Sequence, residues 1–127
     1  MTVLVVALGA AVGAPTRYLV DLFVESRHSS SLPWGTITVN AIGSFVIGFI
    51  AGLAATSDLD QAVVALISTG FCGALTTFST FSFETVRLIE QQHLTAAVLN
   101  LGLSLVLTIV LCLGGYELAA AYLITAP

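Results

Sequence analysis

The sequence predicts an all-α integral membrane protein: a single domain, residues 1–127, of four hydrophobic helices with a break in the third. Three observations predict it. The chain is 57% hydrophobic and 8% charged, with a mean hydropathy of +1.06, whereas soluble domains carry about 25% charged residues. Three Lys+Arg and seven Asp+Glu cannot cover a water-facing surface, so lipid must solvate much of the exterior. Apolar stretches recur four times, each close to the roughly 20 residues a helix needs to cross a bilayer. The third stretch crowds Gly, Thr and Ser where a lipid-facing helix would use Leu.

The first stretch runs from Thr2 to Phe23, interrupted by Arg17 and Asp21. A signal peptide opens on a positively charged region, and Met1 to Leu8 has none, so this segment counts as structure. A polar loop follows, Glu25 to Ser31 with Pro33. The second stretch runs from Trp34 to Ala55 and ends at Thr56-Ser57-Asp58-Leu59-Asp60, where Asp58 or Asp60 can cap the next helix. The third runs from Ala62 to Phe83, followed by Glu90-Gln91-Gln92-His93. The fourth, Thr95 to Ile124, is longer than a bilayer needs and is expected to tilt or extend into water. Helices are the economical solution, because unpaired backbone groups are costly in hydrocarbon. Tyr18, Trp34, Tyr116 and Tyr122 fit interface anchors.

Several classes are excluded. A net charge of −4 provides no basic surface to neutralise phosphates, so nucleic acid is not a partner. Cys72 and Cys112 lie in apolar runs and read as free, buried thiols without metal-ligand spacing. His28 and His93 lie in loops without spaced Cys or His companions, and no nucleophile motif, phosphate loop or acidic pair within the spans suggests an enzyme. The cations Arg17, Arg27 and Arg87 all fall toward one side, which alone would place both termini outside. Arg17 lies within a span, however, so the orienting bias is small and insertion in both directions is compatible with it. Small residues about one turn apart (Gly9 and Gly13, Gly48 and Gly52, Gly70 and Gly73) let helix backbones approach closely, within the chain or between chains. Four thin helices enclose little space, so a transport pathway would call for an oligomer.

The residues that carry chemistry centre on Gly70-Phe71-Cys72-Gly73-Ala74-Leu75-Thr76-Thr77-Phe78-Ser79-Thr80-Phe81-Ser82. Glycines weaken a helix, and Thr and Ser hydroxyls that bond to backbone carbonyls bend it. The expectation is an unwound helix at membrane depth, tolerated only inside protein or beside a watery cavity, with carbonyls able to hold a cation. A polar helix contact without function is the plainer alternative. Phe78 and Phe81, three apart, share a helix face. They are either core or lipid-facing aromatics, or ring edges that touch an anion without trapping it. The amide of Asn40 serves either a neighbouring helix or an anion. Asn100, Ser104 and Thr108 form one polar stripe on the fourth span, facing a partner helix or a pore. Arg17 is a functional candidate by its depth, or it snorkels or pairs with Asp21 or Glu84.

These residues resemble the Fluc/CrcB fluoride channels over essentially the whole chain. The resemblance rests on Gly70-Phe71-Cys72-Gly73, on Thr76-Thr77-Phe78-Ser79-Thr80-Phe81, on Gly13-Ala14 with Arg17-Tyr18, and on Asn40 with Gly43-Ser44-Phe45. It implies a dual-topology homodimer of two antiparallel subunits in a bacterial inner membrane, with lipid around it and two pores for passive fluoride export. It implies a sodium ion at the dimer centre, held by the backbone carbonyls of Gly73 and Thr76. By the same resemblance Phe78 and Phe81 form a ring box in each pore, with Ser79 and Thr80 beside it. Asn40 is the pore-facing amide, Asn100, Ser104 and Thr108 are the polar track, and Arg17 has a structural or vestibule role. The chain departs from the family in Ala74, where Gly is common, and in Asn100, where Tyr is familiar. Two readings compete. A small proton-coupled multidrug exporter needs a first-span carboxylate, and Met1 to Arg17 has none. A non-transporting assembly subunit would use its polar stripes only as glue.

Overall fold

The computed structural model describes residues 2–125, with side chains as far as Tyr122. Met1, Ala126 and Pro127, which fall within the single domain expected from the sequence, lie outside the described residues. Six helices follow in order: α1 Thr2–Glu25, α2 Trp34–Thr56, α3 Gln61–Val64, α4 Gly73–Leu75, α5 Phe78–Glu90 and α6 Leu94–Thr125, with a π-helical stretch, Ala65–Cys72, joining α3 to α4. Four stretches are long and apolar enough to cross a membrane: Thr2–Glu25, Trp34–Thr56, Gln61–Glu90 and Leu94–Tyr122. The third outruns its expected end at Phe83 by seven residues, because Glu84, Arg87 and Glu90 continue the helix past the apolar run. Charge ends the hydrocarbon-compatible part of a helix without ending its hydrogen bonding.

The exterior is apolar. Val3, Leu8, Val98 and Leu105 are each more than 60% exposed, and an apolar surface of this kind needs lipid or another apolar partner. The buried apolar set is small: Ile37, Val39, Ile50, Leu75 and Leu88 are among its members. Packing is therefore backbone against backbone. α1 lies on the π-helical stretch, α2 on α6 and α5 on α6. A Cβ added to Gly9 would come within 2.8 Å of the Phe71 nitrogen, and one added to Gly48 within 2.7 Å of the Cys112 carbonyl carbon. Those glycines sit where two helices touch, as small residues do in lipid. Gly48→Ala is expected to cost about 1–3 kcal/mol by forcing α2 off α6, read as a lower unfolding temperature in detergent. An unchanged temperature would mean that the two helices are not in this contact.

Local chemistry sets the ends of these elements. The Asp60 carboxylate accepts from the Ala62 backbone N–H at 2.7 Å and caps α3. Gln92, at φ 61°, turns the chain from α5 into α6. Within the third span the backbone leaves helical geometry at two residues: Thr76 has φ −79°, ψ 156°, and Thr77 has φ −149°, ψ 117°.

Candidate functional site: the groove at Thr76 and Thr77

Two extended residues inside an apolar span need partners for their backbone groups. Asn40 supplies them to Thr77. Its Oδ1 accepts from the Thr77 N–H at 2.7 Å, and its Nδ2 donates to the Thr77 carbonyl at 3.1 Å. One planar amide on α2 therefore replaces the helical acceptor of the Thr77 N–H and adds a donor at the Thr77 carbonyl, which opens α5 as its N-cap. The second Nδ2 proton has no acceptor among the described residues. Thr77 in turn caps α5: its Oγ1 accepts from the Thr80 N–H at 3.2 Å and donates to Thr80 Oγ1 at 2.9 Å, with Ser79 Oγ at 3.3 Å. Thr76 closes the helix before it, its N–H and its hydroxyl both donating to the Cys72 carbonyl at 2.9 Å.

This wiring releases two carbonyls. In a continuous helix the Gly73 carbonyl would accept from the Thr77 N–H and the Thr76 carbonyl from the Thr80 N–H. The first of these donors goes to Asn40 and the second to the Thr77 hydroxyl. The backbone oxygens of Gly73 and Thr76 thus lose their helical donors, and free carbonyls of this kind suit a hard cation such as sodium.

A groove of about 760 Å³ runs beside this point. Asn40 and Ser44 line it from α2, Thr76, Thr77, Phe78 and Phe81 from the third span, and Ser104 and Thr108 from α6, with Val98, Leu101 and Leu105 as its apolar wall. None of the lining residues is charged. The Phe78 and Phe81 rings lie 5.9 Å apart at 44°, and Phe78 is 79% exposed, so its ring stands on the outside of the single chain.

Of the residues singled out in the sequence, Asn40, Thr76, Phe78, Phe81, Ser104 and Thr108 meet in this groove. Ser79 and Thr80 belong to the cap of α5, and Gly73 lies on the exposed surface just before the two extended residues. Asn100 is fully buried. Its Nδ2 donates to Thr85 Oγ1 at 2.9 Å, Thr85 donates to the Phe81 carbonyl at 2.8 Å, and Ser104 donates to Asn100 Oδ1 at 3.4 Å. Thr108 donates to the Ser104 carbonyl at 2.7 Å. The stripe on α6 is therefore both groove wall and fastening, with Asn100 at its inward end. Arg17 is not among the groove-lining residues and donates to neither Asp21 Oδ1 nor Glu84 Oε2. The sequence reading missed Thr85. Its only signal was its place one turn after Phe81, too common a pattern to single out. Asn100→Leu is expected to destabilise the chain by about 1–3 kcal/mol, because Thr85 loses a buried partner. A thermal melt in detergent measures it, and Thr85→Val in the same background should add little further loss.

The profile of the family described as CrcB-like protein, Camphor Resistance (CrcB), matches residues 4–116. The chain belongs to this family. Among its CrcB-like relatives is "Fluoride-specific ion channel FluC 1" of Frankia casuarinae, 47% identical over 105 residues that cover 79% of this chain and 81% of that one. "Fluoride-specific ion channel FluC" of Shewanella woodyi is 44% identical over 116 residues, 91% of this chain and 94% of that one. A protein of Streptomyces avermitilis, also named "Fluoride-specific ion channel FluC 1", is 48% identical over 90 residues, 71% of this chain and 73% of that one. These relatives are named as channels, not enzymes, and the CrcB match spans all four apolar stretches.

Proposed function

We propose that this chain is a fluoride-selective channel that lets fluoride leave the cell passively and so lowers its cytoplasmic level. The observation that carries the reading is the groove: hydroxyls, an amide and two aromatic rings, with no fixed charge among its lining residues. Fluoride is small and strongly hydrated, and stripping its water costs several kcal/mol unless donors replace it. A lysine or arginine would hold the ion too firmly to release it. Neutral donors exchange. The second Nδ2 proton of Asn40 is unspent, and the Ser104 hydroxyl, 3.4 Å from Asn100 Oδ1, holds a weak bond that a rotation about its Cβ–Oγ bond trades for an anion. The positive ring edges of Phe78 and Phe81 complete the contact.

The assembly is part of the same proposal: an antiparallel homodimer of dual topology, embedded in lipid in a bacterial inner membrane. Gly73 and Phe78 are exposed on a single chain, and Gly102 and Gly114 on α6 have no neighbour within 4 Å of an added Cβ. Such surfaces are suited to close contact with a second copy, and in an isologous pair one patch serves both subunits. The freed carbonyls of Gly73 and Thr76 would hold a sodium ion at the dimer centre. When bound it would supply fixed positive potential beside the anion's route.

The named relatives support the channel reading. A proton-coupled exporter requires a membrane carboxylate at its substrate site, and neither residues 1–17 nor the groove has one. Purified protein in liposomes loaded with potassium fluoride tests the three readings together. The channel releases fluoride down its gradient once valinomycin clears the charge. An exporter moves a cationic dye only when a proton gradient is applied, and an assembly subunit does neither.

A further inference from the structure

Away from the groove, three buried oxygens have no hydrogen-bond partner among the described residues: Asp21 Oδ1, Thr36 Oγ1 and Glu84 Oε2. They come from three different spans and converge at one end of the bundle. The Asp21 carboxylate lies against the α2 backbone at Gly35, where an added Cβ would run into its Oδ1 and come within 2.9 Å of its Cγ. Thr36, the next residue, is 1% exposed and lies near Glu84, with no hydrogen bond to its Oε2. Asp21, Glu25 and Arg87 all act on the Glu84 charge through space, and Arg17 on that of Asp21. Neither arginine donates to the three oxygens.

Two carboxylates only accept hydrogen bonds, and the threonine hydroxyl brings a single proton. The cluster is therefore short of positive partners, and an unpaired buried carboxylate is expensive. Three hard oxygen donors, two of them carboxyls that can ionise onto a bound ion, match a divalent cation with oxygen preference. Calcium accepts an irregular set of oxygens completed by water, whereas magnesium demands a near-ideal octahedron. A route from water exists as well. A pocket of about 180 Å³, lined by Glu25, Ser30, Ser31, Glu84 and Arg87, opens beside Glu84 at the first loop. We propose that Asp21, Thr36 and Glu84 bind a calcium-sized divalent cation, entering through this pocket. Thr36 lies one turn from Asn40 on the same face of α2, so on the channel reading the bound ion would also mask two carboxylates that repel fluoride.

Terbium is a luminescent substitute for calcium, and Trp34, the only tryptophan of the chain, sits next to Gly35 as a built-in sensitiser. The test is terbium emission excited through Trp34, on full-length protein in detergent without fluoride, so that failure leaves the channel reading untouched. Wild-type protein is expected to emit and to lose emission on adding calcium. Asp21→Asn and Glu84→Gln are expected to weaken terbium binding about tenfold or more, with unchanged elution on size exclusion, while Asp58→Asn in the second loop leaves it unchanged. Thr36→Val keeps both charges and nearly the same shape. It is expected to weaken binding too, and it decides the matter where a carboxylate variant elutes as aggregate. No sensitised emission from wild type, or equal emission from wild type and Thr36→Val together with either folded carboxylate variant, would overturn the proposal.

Discussion

Asn40→Ala is expected to lower both the stability of the chain and its fluoride flux more than any other single side-chain truncation in the groove. The amide is the acceptor for the Thr77 N–H at 2.7 Å and adds a donor at 3.1 Å to the Thr77 carbonyl, which as N-cap also heads the first turn of α5. Alanine leaves the N–H unpaired within an apolar span, at about 1–3 kcal/mol, and takes a donor from the carbonyl. The third span then has two remedies, to rewind into continuous helix or to admit water. Rewinding returns the Thr77 N–H to the Gly73 carbonyl and removes the cap on α5. Asn40→Asp still accepts from the Thr77 N–H but sets an unpaired carboxylate oxygen against the Thr77 carbonyl in an uncharged groove, so its melting temperature should fall to that of alanine or below. A thermal series on wild type, Asp and Ala in detergent checks the order. Equal melting temperatures would mean that the amide is not holding the extended residues.

Phe81→Ile is expected to cut fluoride flux about 100-fold while the protein elutes and melts close to wild type. Phe81 is half-buried on α5, and among the described aromatic rings its ring meets that of Phe78 at 5.9 Å. Isoleucine keeps the apolar volume and a helical backbone, so packing changes little. It has no positive edge to offer an anion. A barrier raised by about 2.7 kcal/mol corresponds to about 100-fold slower transit, the scale of a contact made where water has been stripped away. Fluoride-electrode traces from liposomes with matched protein content measure it. Wild-type flux from Phe81→Ile would remove the rings from the pathway.

Most of the architecture could be read in advance because lipid imposes a simple rule. A run of about 20 apolar residues has few other fates, and the four expected stretches begin and end close to the four observed. The exception, the extension of the third span to Glu90, comes from residues such as Glu84 and Arg87 that are polar enough to look like a loop and good enough helix formers to continue one. The Gly-rich and Thr-rich string pointed to the place where Thr76 and Thr77 take extended geometry, because glycine and β-branched residues both weaken a helix. The π-helical stretch Ala65–Cys72 had no such signal, since an i→i+5 pattern leaves no mark on residue types.

The groove was legible as a set of residue types and not as a wiring diagram. Asn40 stood out because a buried amide must bond to something. That it bonds to the backbone of a residue 37 positions away depends on how α2 meets the third span, which no local pattern records. Asn100 shows the same limit. Its four-residue spacing with Ser104 and Thr108 placed all three on one face, but only tertiary packing turns Asn100 inward to Thr85 and leaves Ser104 and Thr108 at the groove. The Asp21, Thr36 and Glu84 cluster lay outside any motif, because its members are 15 and 48 residues apart along the chain.

The central claim, that neutral donors beside an interrupted third span carry fluoride, is tested most directly by recording fluoride and chloride release from the same liposomes. One wild-type sample is held at low protein density, with a fluoride electrode and a chloride electrode in one chamber. The expected result is rapid loss of fluoride on adding valinomycin, with chloride retained as in protein-free vesicles. Retained fluoride, or equal release of both halides, would contradict it.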